Sequence, residues 1–266
     1  MKRWVNLIYE LTRKDLKTRY SGFGSAIIWM FLSPFLTVGI FYVVFSIVLK
    51  VRIYEAPFML YLMVAVFTWQ FFSNSIMTSV SSLIDNRNLI KESNFPHFLI
   101  PFSIIFTNMI VFLPALLITT FISIYILKGL SILIIFLPLV FICHLGVIIG
   151  LSLGLSTLYV KWRDIKHLVE TCLNILFYLT PCFYSLSLIR SSFSPVLYNI
   201  YTHNPFVGIL SLYRIVLLKG FYTAIKNEVS FCSLVLTPVL FSIAISVLGF
   251  YYYYKNRKII NDYLSY

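Results

Sequence analysis

The sequence predicts an all-α integral membrane protein: an amphipathic interfacial helix, six transmembrane helices, a short polar helix between the second and third spans, and re-entrant helices before the last. Three observations predict it. Charged residues make up 11% of the chain and apolar ones 60%, whereas about 25% of an ordinary soluble domain is charged. Mean hydropathy is +0.90. The charges are also grouped, leaving six uncharged stretches at 20–49, 56–84, 93–127, 129–160, 171–189 and 229–254. A bilayer core of about 30 Å takes roughly 20 residues of helix, so each stretch can cross once. With the amino terminus inside, 14 of the 21 Lys and Arg residues fall on the inner side. That asymmetry obeys the positive-inside rule and places both termini in the cytoplasm. It also accounts for the net charge of +12 without nucleic acid.

The elements follow in order within a single domain, 1–266. Residues 1–19 carry eight charges, which leaves no room for the apolar core of a cleavable signal, so this end is expected to be retained. Within 1–20, Trp4, Leu7, Ile8 and Leu11 share one helical face, and Arg3, Glu10, Arg13, Lys14 and Lys17 the other. This is the pattern of a helix lying in the interface. Asp15 falls on the apolar face and is expected to pair with a basic side chain or cap a backbone end. Gly22 and Gly24 make a pliant connector to the first span, 26–49, which Pro34 can kink. The second span is 57–82. The polar segment 83–97 holds DNRNLIKE and stops at Asn94, Phe95 and Pro96, a short helix suited to docking a soluble partner. Spans three and four, 99–127 and 132–158, form a hairpin about Lys128 and Gly129. Gly146, Gly150 and Gly154 put one small-residue face on the fourth. KWRDIKH at 161–167 is read as a solvated loop or a second partner contact. The fifth span is 168–186. Residues 190–226 hold Pro195, His203, Asn204, Pro205, Gly208 and Arg214, too interrupted for one crossing, and read as external re-entrant helices. The sixth span is 229–252, followed by a basic tail.

The chemistry is sparse. There is no G-x-x-x-x-G-K-[ST], so any ATP dependence must come from a partner. His97, His144, His167 and His203 are scattered, Cys143, Cys172, Cys182 and Cys232 show no paired spacing, and no metal site is expected. No catalytic residue is predicted. Aromatics supply 18% of the chain. Trp29, Phe35, Tyr42, Phe67, Phe71, Phe177 and Tyr184 are candidates to line a path for a glycan, since aromatic faces stack on sugar rings. The competing role for most aromatics is contact with lipid and the interface.

Five blocks then carry a resemblance: RKDLKTRYSGFGSAIIWMFLSP (13–34), WQFF (69–72), NRNLIKESNFPHFLIP (86–101), YVKWRDIKH (159–167) and HNPFVGILSLYR (203–214). In this order around six spans, the chain resembles the membrane subunits of bacterial ABC-2-type exporters of polysaccharides, which cover O-antigen, capsule and teichoic-acid permeases. The resemblance implies a homodimer in the bacterial inner (plasma) membrane, working with a separate P-loop ATPase that binds ATP and Mg. This chain itself would hold no cofactor and be no enzyme. The cargo implied is an undecaprenyl-pyrophosphate-linked polysaccharide. Gly22, Phe23 and Gly24 would lie at its entrance, with Arg13, Lys14, Lys17 and Arg19 meeting the pyrophosphate. Arg87, Asn88, Lys91, Glu92, Phe95 and Pro96 would couple to the ATPase, and Asn204, Pro205 and Arg214 would form an external gate. Phe23 stands where the family usually has Leu, and His97 where it has a basic residue. Two alternatives remain: an ABC-2 permease for another amphiphile, drug or lipid, and a membrane-embedded glycan or acyl transferase relying on Asp15, Asp164 or His203.

Overall fold

Apolar stretches with no water to satisfy their backbone close their hydrogen bonds internally as helices, and helices are what the chain builds. The computed structural model describes residues 2–20, 25–91 and 96–265, and among them there is no strand. In chain order the helices are α1 (Lys2–Tyr20), α2 (Ser25–Phe41, continued by a π-helical stretch Tyr42–Val48), α3 (Phe58–Val80), α4 (Ser82–Asp85), α5 (Arg87–Lys91) and α6 (Leu99–Leu127). Then come α7 (Leu137–Lys161, entered by a 3-10 turn Ile132–Phe136), α8 (Ile165–Leu179), α9 (Leu186–Ser192), α10 (Pro195–Thr202), α11 (Pro205–Leu217), α12 (Phe221–Ile225) and α13 (Thr237–Ser265, entered by a π-helical turn Cys232–Leu236).

Among the described residues, four helices are long and apolar enough to cross a membrane: Phe58–Val80, Leu99–Leu127, Ile132–Lys161 and Cys232–Arg257. They match the second, third, fourth and sixth expected spans. The first expected span is helical from Ser25 to Val48. The fifth expected span, 168–186, is not one helix. Helix α8 has 15 residues, about 22 Å at 1.5 Å per residue, and stops where Thr180 turns extended at φ −96°, ψ 147°. The cause is Pro181, whose ring disfavours the helical region for the residue before it. Helix α13 runs beyond the expected 252 into the basic tail, where Ile260 packs inward.

Helix α3 is the axis. Of its most apolar window 72% is buried, against 28%, 22% and 28% for the other three long helices, so those three turn broad faces outward. Phe71 stacks on Phe112 with centroids 4.6 Å apart, and Phe141 and His144 complete that cluster. Helices α7 and α13 approach through the small face expected of α7. A Cβ on Gly150 would collide with the Ile245 carbonyl, and one on Gly249 with the Gly150 carbonyl. Ser242 and Ser246 donate across this seam to the Cys143 and Gly146 carbonyls at 2.7 and 2.8 Å. Small residues permit the approach, and hydroxyls then satisfy carbonyls where water is absent.

The two ends of the bundle differ. At the basic end lie α1, α4, α5, the start of α8 and the end of α13, and Leu83, Ile90 and Ile260 pack α4, α5 and α13 onto Ile100 of α6 and Val160 of α7. At the opposite end, Ser123 donates to the Leu217 carbonyl at 2.7 Å and Ser131 to that of Ile215 at 3.3 Å. Those bonds fasten α11 to the hairpin between α6 and α7.

Candidate functional site

A cavity of about 610 Å³ opens at the basic end between α1, the α3–α4 turn and α6. Helix α1 lines it with Leu11, Lys14, Asp15, Thr18 and Arg19, positions i, i+3, i+4, i+7 and i+8 that share one helical face. Arg13 and Lys17 lie off that face and are exposed, so the four predicted pyrophosphate contacts divide into two pairs. Lys14 donates to Asn86 Oδ1 at 3.2 Å, and Asn86 donates back to the Ser82 carbonyl at 3.0 Å. Arg19 pairs with Asp15, Nη2 to Oδ2 at 2.9 Å and Nε to Oδ1 at 3.0 Å, which meets the expectation that Asp15 takes a basic partner. Its Nη1 also reaches Asn108 Oδ1 at 3.5 Å.

Lys166 reaches the same cavity from the start of α8, and Asp85 from α4. Three cations thus face two carboxylates, one of which is already paired. Lys14 and Lys166 are the ammonium groups open to an anion, and Arg19 becomes a third if it releases Asp15. No sequence signal singles out Lys166, which sits in the 161–167 segment read as a solvated loop or a partner contact. Asn108 had a faint signal, an amide inside an apolar helix. Gly22, Phe23 and Gly24 lie outside the described residues.

The segment 83–97, expected to couple to an ATPase, starts beside this cavity, which Asp85 and Asn86 line. Arg87 and Asn88 are exposed, Leu83 and Ile90 are 1% and 7% exposed, and Pro96 is half-buried. Lys91 ends α5, while Glu92 and Phe95 lie outside the described residues. The buried pair anchors the segment on Ile100 of α6, Val160 of α7 and Ile260 of α13.

The aromatic candidates are dispersed. Phe67 and Phe71 are 4% and 3% exposed, sealed within the chain: Phe35 packs edge-on to Phe67 at 5.0 Å, and Phe71 sits in the Phe112 stack. As lining for an open path these two are displaced by their own neighbours, because α3 is the central helix. Phe177 joins Trp69, Phe41 and Phe183, and Tyr42 leans on Phe58. Trp29 is exposed at 57%, and Tyr184 donates to the Tyr178 carbonyl at 2.9 Å.

At the opposite end, Asn204 caps α11, its Oδ1 accepting from Phe206 N at 3.0 Å, with Pro205 as the first helical residue. Asn at the cap and Pro at the first turn both favour a helix start, since they satisfy or remove an orphan donor. Arg214 lies further along the same helix and is fully buried. Asp15 and Asp164 sit at the basic end and His203 at the other, so the structure does not bring the transferase candidates together.

Long apolar helices with a polar, cation-lined cavity at one end define an α-helical integral membrane protein. The chain belongs to the ABC-2 type transporter family, whose family model matches residues 6–218, and is therefore a membrane permease subunit. It is similar to O-antigen export system permease proteins RfbA of Klebsiella pneumoniae, two of which are 29% identical over 216 residues, 81% of each chain. It is also similar to RfbA of Myxococcus xanthus, 27% identical over 212 residues and 80% of each chain.

Proposed function

We propose that this chain is the membrane-spanning subunit of an ATP-driven exporter that moves a lipid-linked polysaccharide out of the cytoplasm. In this reading it acts as a homodimer in the bacterial inner membrane, with both termini cytoplasmic and a separate P-loop ATPase docked on the segment about Arg87 to Pro96. The relatives named for O-antigen export support the cargo class. The observation that carries the reading is the cavity, which sets Lys14, Arg19 and Lys166 beside the coupling segment. A diphosphate linking lipid to sugar is a compact anion, and clustered Lys and Arg donors at an interface suit it.

Deleting the gene and analysing both surface glycan and lipid-linked glycan tests the function directly. Loss at the surface with accumulation inside is expected; normal surface glycan rejects it. The cavity is tested separately by Lys14→Ala with Arg19→Ala, expected to cut export at least tenfold while the ATPase still co-purifies. Arg13→Ala with Lys17→Ala, off the cavity face, should cost less. Equal export by the two double variants would remove the cavity from the path.

A permease for another amphiphile is the second reading. The burial of Phe67 and Phe71 favours it, since it withdraws two rings from the proposed glycan path. Accumulation of a lipid without sugar in the deletion strain would select it.

A further inference from the structure

The cavity at the basic end is lined by Lys14, Arg19 and Lys166, and three such cations alone would hold any phosphate that reached them. Phosphate is abundant where α1 would lie. Trp4 and Tyr9, 45% and 62% exposed on that helix, suit the headgroup layer of a membrane. There the phosphodiesters of ordinary anionic phospholipids far outnumber any lipid-linked export substrate. Affinity for phosphate is therefore not enough, and a site so placed needs something set against the wrong partner.

Asp15 is such an element. It lies on the face of α1 that lines the cavity and engages Arg19 through both oxygens, Oδ2 with Nη2 at 2.9 Å and Oδ1 with Nε at 3.0 Å. Oδ2 is shut off from solvent, so an incoming anion can take that edge of Arg19 only by stripping a carboxylate oxygen of its partner. The remaining guanidinium nitrogen, Nη1, reaches Asn108 Oδ1 of α6 at 3.5 Å. Asn108 is 8% exposed, and its Nδ2 donates to the Ile104 carbonyl at 3.0 Å and to Thr78 Oγ1 of α3 at 3.3 Å. Arg19 is thus steadied from α6 and α3, and the anion now seated on it belongs to the chain itself.

We propose that Asp15 is a specificity-determining residue, a built-in competitor that keeps monoanionic phospholipids out of the cavity and yields Arg19 to a dianionic diphosphate. The inference rests on the export reading for its cargo. While Asp15 is paired, Lys14, Arg19 and Lys166 face Asp15 and Asp85, which leaves one net positive charge. A monoanion neutralises that charge without freeing Arg19, so it gains only the looser hold of ammonium groups. A diphosphate diester brings a second charge and more acceptor oxygens. When Asp15 swings aside, those oxygens take the two-pronged edge of the guanidinium that it leaves.

The test is a pair of dissociation constants measured on the chain purified with its ATPase, for farnesyl diphosphate joined to N-acetylglucosamine and for dihexanoyl phosphatidylglycerol. The wild-type complex is expected to favour the diphosphate at least tenfold. Asp15→Asn should bind phosphatidylglycerol at least tenfold tighter and lose most of that preference, and Asp15→Glu, which restores the charge, should recover it. An unchanged preference in Asp15→Asn overturns the proposal, as does a wild-type complex with no preference. Loss of both probes in Asp15→Asn overturns it too, since Asp15 would then serve only to hold Arg19 in place. Should Asp15→Asn fail to assemble, Asp15→Ser is read in the same way. A collapsed preference together with normal surface glycan in the deletion strain would leave the selectivity standing and reject the export reading alone. Lipid-linked glycan accumulating in that strain beside an unchanged preference would do the reverse.

Discussion

His97 closes the polar stretch before α6, in the position where the resembled family carries a basic residue, and here it is 8% exposed. Burial lowers its pKa from the usual 6.5, because the charged imidazolium is the form that loses most when water is removed. The sign follows from linkage. Above about pH 6.5 the imidazole is neutral in both folded and unfolded chains, so its contribution is fully present. As pH falls below that, the unfolded chain takes up the proton first and stability is lost. Thermal unfolding of the purified chain at pH 7.5 and 5.5 should therefore show a smaller acid-induced drop for His97→Gln than for wild type. Equal drops would place the acid sensitivity elsewhere. At this scale the sequence was readable where a residue broke a pattern: Asp15 on an apolar face demanded a partner and has Arg19 at 2.9 Å. It was mute about Lys166, because a lysine in a charged loop breaks nothing, and about which rings α3 would bury, because aromatic residues suit lipid, core and lumen alike.

The elements were legible in proportion to how strongly bilayer physics constrains them. Uncharged stretches became α3, α6, α7 and α13, since unsatisfied backbone in lipid is too costly for any other outcome. Helix α8 escaped this logic: residues 171–189 are uncharged, but hydropathy does not register the steric effect of Pro181, and the helix ends at Leu179. The glycine face of α7 could be read as a close approach, though not its partner, which α13 supplies. Two substitutions of one kind separate the effects. Gly150→Ala puts a methyl group against the Ile245 and Ser246 backbone, which cannot yield without moving α13, and should lower the unfolding midpoint and the yield of folded protein. Gly39→Ala meets nothing within 4 Å and adds helix propensity worth about 1 kcal/mol, so its midpoint should hold or rise. A similar loss from both would mean that the seam carries no special constraint.

Across the whole molecule, the basic end joins parts that lie far apart in sequence. Lys14 of α1 is bonded to Asn86 beside α4, and Leu83, Ile90, Ile100, Val160 and Ile260 form one cluster. A push on the exposed side of α4 and α5 can therefore reach α1 by a hydrogen bond, and α6, α7 and α13 by packing. Docking and transmission are separable on this map. Arg87→Glu with Lys91→Glu reverses two charges on the proposed coupling segment and should abolish co-purification of the ATPase. Ile260→Ala leaves those charges in place but empties a site 1% exposed, a truncation that costs about 2–5 kcal/mol in a packed core. That chain should still hold its ATPase, yet show export reduced at least fivefold and ATP hydrolysis no longer stimulated by assembly with the membrane subunit. If Ile260→Ala exports normally, the end of α13 is only a structural tail. If it also loses the ATPase, the cluster shapes the docking surface itself instead of relaying what happens there.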